Sequence, residues 1–175
     1  MNRDAISELF DYTGWAWERI ARVIDQQPPD VYAKAVAGSG WPSIAACLTP
    51  FVASYDGWIN MDWGQIEAGD MSYPAEWPEP VNDWNQMRAY YLRVRESFRR
   101  ALNVPDEVLY EKRLYNLESI PEQMSRADIL ANLVIHERGH HGDLNTLFHQ
   151  LGIRSYFIDF RFFRTLPNEF LLDEG

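Results

Sequence analysis

This chain has one cysteine, fewer basic than acidic residues and no long apolar run. Its single cysteine, Cys47, excludes an internal disulfide framework and any cysteine-rich zinc site. Lys and Arg total 16 against 26 Asp and Glu, a formal net charge of -10. That balance excludes nucleic acid and anionic membrane as generic partners, because both demand a basic footprint. No apolar run approaches the ~20 residues that span a bilayer. Residues 1–12, MNRDAISELFDY, carry charge where a secretory signal needs its apolar stretch. The expectation is a soluble, cytoplasmic protein. A phosphate-binding loop is also missing, since Gly38-Ser39-Gly40 lacks the lysine and the strand context, and no G-x-S-x-G elbow occurs.

What is present is enough for one domain over residues 1–175. The chain has 175 residues, 46% apolar and 14% aromatic, which suffices to bury a core. Four segments carry helical periodicity. In the first, Asp4 to Asp25, residues Leu9, Phe10, Trp17, Ile20, Val23 and Ile24 recur at three- and four-residue spacings. Pro28-Pro29 ends it. The second runs from Pro42-Ser43 to Met61 and holds Pro50, which predicts a kink. Residues 62–82 read as a long loop, with Trp63 and Trp77 expected to wrap the domain. The third, Asp83 to Leu102, carries a core stripe of Trp84, Met87, Tyr91, Val94, Phe98 and Leu102. Arg88, Arg93, Arg95, Arg99 and Arg100 lie off that stripe and read as a solvated face. Residues 103–124 read as an extended excursion or a short helix. The fourth segment starts at Ser125 with Asp128 three residues on, a capping-box pattern, and stops at Gly152, placed for a left-handed cap. A tail, residues 153–175, is rich in aromatics. The reading is an all-α fold, a four-helix bundle.

Three of the four histidines lie in HERGHH, His136 to His141. At ~100° per residue, His140 falls ~40° from His136 and Asp143 ~20° to the other side. Ile129 and Leu147 share that stripe, so it faces the bundle interior. His141 and His149 fall far from it. Two imidazoles one turn apart can bind one metal ion with bonds of ~2.1 Å. The plainer alternative is a hydrogen-bonded interior pair.

The stretch HERGHHGDLNTLFHQLG resembles the final-helix signature of the DinB/YfiT-like family. His136, His140, Gly142, Asp143 and Leu151-Gly152 stand in the places of that pattern. Tyr156 and Asp159 resemble the family's tail, and SIAACLTPFVASYDGWI resembles its second helix. The resemblance implies a bundle of up-down-down-up connectivity, commonly a homodimer. It implies a divalent ion, zinc or nickel, held by three histidines. It also implies hydrolase or thiol-dependent transferase chemistry on a small molecule, with a low-molecular-weight thiol as a possible co-substrate.

The chain departs from the family at one ligand. The first metal histidine falls on Pro50, and no histidine precedes His136. Metal ligands expected from the sequence are therefore His136 and His140, with a third position open among Cys47, Asp56 and Asp143; Glu137 is a further oxygen donor on the same helix. Cys47 is the one soft ligand available; unligated, it is a small buried hydrophobe. Asp143 otherwise orients a histidine. Two functions compete. One is a metal-dependent enzyme with a reduced site, its pocket walled by Tyr55, Trp58 and Trp63. The other is a non-catalytic, metal-free dimeric bundle acting as a ligand-binding or stress-related interaction protein.

Overall fold

The computed structural model describes residues 1–60, 79–117, 120–155 and 158–165. Its long elements are α1 (Arg3–Asp25), α2 (Ile44–Asn60), α3 (Trp84–Leu102) and α5 (Arg126–Gln150). A short helix α4 (Asp106–Leu109) and an antiparallel hairpin, β1 (Arg113–Leu117) with β2 (Ile120–Met124), connect α3 to α5. A final helix α6 (Phe160–Thr165) follows. The stretch read as extended or helical therefore holds both. The long loop with Trp63 and Trp77 lies outside the described residues for all but its last positions, where the Val81 amide donates to Thr49 Oγ1 (2.9 Å).

Helix boundaries follow local chemistry. Asn2 accepts from the Ala5 amide and Asp83 from the Gln86 amide, each at 2.9 Å, so both starts have their free N–H groups capped. Ser125 and Asp128 form the full capping box. Gly152, at φ 72°, ends α5 in the left-handed conformation a side chain resists. Pro50 lies inside α2, which continues through it to Asn60.

Contacts fix the direction of each helix. Arg3 donates to the Leu102 carbonyl, Phe10 stacks on Phe98 and Trp17 on Tyr91, so α1 and α3 are antiparallel. Thr49 meets Val81 and Asp56 meets Tyr90, so α2 and α3 run parallel. Cys47 meets His140 and Tyr55 meets Glu137, so α2 and α5 are antiparallel. The order is up-down-down-up. The centre is rich in stacked aromatics, with Phe10 and Phe98 3.9 Å apart and Trp17 and Tyr91 3.7 Å apart between ring centroids. The tail docks on α1, where Tyr12 and Trp15 pack against Ile158, Phe160 and Phe163.

One expectation on the third helix is corrected. Arg95 is not on a solvated face; it is buried, with Nη1 donating to Thr13 Oγ1 (2.8 Å) and Nη2 to the Phe10 carbonyl (2.6 Å). The reason lies on α1, where Gly14 leaves room for the guanidinium: a Cβ there would stand 2.4 Å from Arg95 Nη2.

Candidate metal centre

His136 and His140 emerge together from the middle of α5, on the side that faces α2. Their Nε2 atoms are 3.1 Å apart, so one ring donates to the other. His140 is buried between Phe51 (5.5 Å) and Trp41 (5.2 Å), which fixes its plane. Its other nitrogen, Nδ1, faces Cys47 Sγ at 3.7 Å and Asp143 Oδ2 at 3.8 Å. Asp143 is half exposed and held by the Trp41 indole, whose Nε1 donates to Oδ2 (2.9 Å). Cys47, His140 and Asp143 thus bring three ligand atoms within 4.8 Å of one another. Atoms bonded to a tetrahedral ion at 2.0–2.3 Å stand roughly 3.5 Å apart, so the two measured separations are close to what zinc requires.

The electrostatics of this cluster favour neutral donors. Burial, then the neighbouring His136, pushes His140 down to about 4. Burial likewise lowers His136. Burial, with Asp143 adding to it, pushes the Cys47 thiol well up. Imidazoles unprotonated at neutral pH are ready to bind a cation. The thiol is not, and ionises there only if a cation takes the proton's place.

The second helix therefore presents a ligand atom to His140, one turn before Pro50, while His136 contacts the other nitrogen of that ring and stands outside the group of three. Asp56 is not in this group; it accepts from the Tyr90 hydroxyl (2.8 Å). Glu137 is not in it either. Its carboxylate is fully buried on the next face of α5, accepting from Tyr55 (2.5 Å) and Tyr91 (2.7 Å). Arg95 Nη1 lies 3.8 Å away and His141 Nε2 3.4 Å. Burial alone pushes this carboxyl up, but His141, Arg95 and the Tyr55 hydroxyl outweigh it and hold it at about 2. Tyr55 is accordingly part of the interior network rather than a pocket wall. Trp58 is also buried. Trp63 and Tyr156 fall outside the described residues, and Asp159 caps the tail helix by accepting from the Arg161 amide (2.9 Å).

The Glu137–His141–Arg95 network is not among the sequence expectations, although a signal for it exists in the sequence. Leu130, Leu133, Val134, His141 and Leu144 all lie within about 60° of Glu137 on an ideal helix. That is a second apolar stripe, and it marks Glu137 and His141 as interior.

Comparison with known proteins agrees with this architecture. The chain matches the DinB family over residues 1–169. It is similar to "Protein DinB" of Bacillus subtilis (strain 168), 22% identical over 154 residues that cover 87% of this chain and 89% of the relative.

Proposed function

Because the chain belongs to the DinB family, we propose that it is a DinB-like metal-dependent enzyme acting on a small molecule, with a remodelled metal site. The observation that carries this reading is the convergence of Cys47, His140 and Asp143 on one point. His140 Nδ1 is the central donor, Cys47 replaces the histidine lost at Pro50, and Asp143 completes the set under the hold of Trp41. His136 holds the His140 ring from the opposite side, through Nε2, and so orients this donor rather than joining the set at Nδ1. A divalent ion bound there, zinc or nickel, supplies Lewis acidity and lowers the pKa of a nucleophile beside it, which is the basis for hydrolysis or for transfer from a low-molecular-weight thiol. Phe51 and Trp41 bury His140 between them, and that burial disfavours its protonated form. The same reading includes a homodimer, which light scattering across micromolar concentrations tests.

The experiment is a cobalt titration of metal-stripped, untagged protein. A thiolate ligand gives a near-ultraviolet charge-transfer band. The band is expected in the original protein, absent in Cys47→Ser and retained in Asp56→Asn. A band unchanged by Cys47→Ser, or no binding of cobalt, zinc or nickel at micromolar concentrations, defeats the reading. One observation favours the alternative, a metal-free interaction bundle: His136 and His140 already satisfy each other at 3.1 Å.

A further inference from the structure

Away from the histidine pair, α1 and α3 leave a groove of about 490 Å³ between them. Four arginines line it, Arg19 and Arg22 from α1 and Arg95 and Arg99 from α3. Only two carboxylates, Asp11 and Glu18, line it with them. This is a local excess of positive charge in a chain whose net charge is -10.

The four cations are not equivalent. Arg95 is answered by Glu137 and its hydrogen bonds to Thr13 and Phe10. Arg19 has no such answer. It is only 2% exposed, with its guanidinium carbon 3.3 Å from the centre of the Trp15 ring. Its Nη1 donates to the Trp15 carbonyl (3.1 Å), while its Nη2 and the Trp15 Nε1 are buried donors with no partner. No carboxylate among the described residues pairs with it, and burial, then the like charge of Arg22, lowers its pKa to about 10. A buried cation without a counter-charge is among the costliest groups a fold can carry. Arg22 and Arg99 are exposed at the same groove and make no ion pair among the described residues. Trp15 and Phe163 supply apolar walls, and Leu92, 60% exposed, stands beside them.

We propose that this groove is a binding site for a small organic oxyanion, a carboxylate or phosphate on an apolar body. Arg22 and Arg99 reach the anion directly, Arg19 and Arg95 hold a fixed positive field behind it, and the aromatic wall takes the apolar part. The site is independent of the metal reading.

The test is a titration of the full chain with benzoate, phenyl phosphate and the neutral isostere benzamide. Binding is followed by the NMR signals of the Trp15 indole N–H and the Arg19 Nε–H. Saturable shifts are expected for at least one oxyanion, which then identifies the headgroup. That oxyanion should bind roughly ten-fold more tightly than benzamide, the effect of a charge-assisted contact. The double variant Arg22→Gln/Arg99→Gln, which changes two exposed side chains, should weaken it by a further factor of about ten. Arg19→Met should lose binding without lowering the melting temperature, because it removes an unpaired buried cation. Equal binding of benzamide, no effect of the double variant, or no saturable shift up to about 10 mM of either oxyanion overturns the proposal.

Discussion

Glu137 is a fully buried carboxylate on which the polar contacts of three helices converge. Four elements of chemistry converge on it: two tyrosine hydroxyls, the Arg95 guanidinium and the His141 ring. Neutralising it leaves Arg95 buried without its counter-charge, so Glu137→Gln should cost about 3 kcal/mol of stability in urea unfolding. A cost below about 1 kcal/mol would show that the network is dispensable. Gly14 acts on the same group from outside. Because a Cβ there would stand 2.4 Å from Arg95 Nη2, Gly14→Ala has to displace the guanidinium and should cost about 2 kcal/mol, in the range of overpacking. The two losses should not add, since both act on Arg95; a double variant equal to the sum of the singles would mean that Gly14 and Glu137 do not communicate through it.

Along the elements, the start of α5 is where sequence and structure agree most closely. Ser125 accepts from the Asp128 amide (3.2 Å) while Asp128 Oδ2 accepts from the Ser125 amide (2.9 Å). Ser125→Ala removes one half of this box and should lower stability by about 1 kcal/mol, measured by thermal melting; no change would mean that the first turn is held by packing alone. Such caps, the apolar stripes and the Gly152 stop are local signals, so the four helices and their ends could be read directly. The hairpin β1–β2 could not, because its strands are short and the alternation of apolar and polar side chains along RLYNL and IPEQM is weak. At the site, His136, His140 and Cys47 could be placed by helical angle, but the partner of each nitrogen could not. That His140 turns Nδ1 toward Cys47 and Nε2 toward His136 depends on Phe51 and Trp41, which come from other parts of the chain. The burial of Arg95 was hidden for the same reason, since the space for it is made by Gly14 on a different helix.

For the whole molecule, the interior polar groups set how stability responds to acid. Two limbs should appear in metal-stripped protein. His140 sits at about 4 when folded against an ordinary 6.5, so folding favours its neutral form. Its contribution is complete above pH 6.5 and is lost as the pH falls toward 4. His136, lowered by burial, adds to the same limb. Glu137 sits at about 2 against an ordinary 4.5, so its contribution is complete above pH 4.5 and is lost as the pH falls toward 2. The surplus of acidic residues at the surface acts in the opposite sense. Its self-repulsion, a consequence of the net charge of -10, relaxes as carboxylates protonate and partly offsets the lower limb. The upper limb is free of that offset because few carboxylates titrate between 6.5 and 4.5. Urea midpoints measured from pH 8 to pH 3 should therefore hold level above 6.5 and fall below it. His140→Gln should shrink the upper limb to what His136 contributes and leave the lower one. A midpoint that does not move between pH 6.5 and 4.5 in the original protein, or an upper limb that survives His140→Gln unchanged, would mean that the ring is reached by water when folded. Its burial between Phe51 and Trp41 would then not be what holds it neutral.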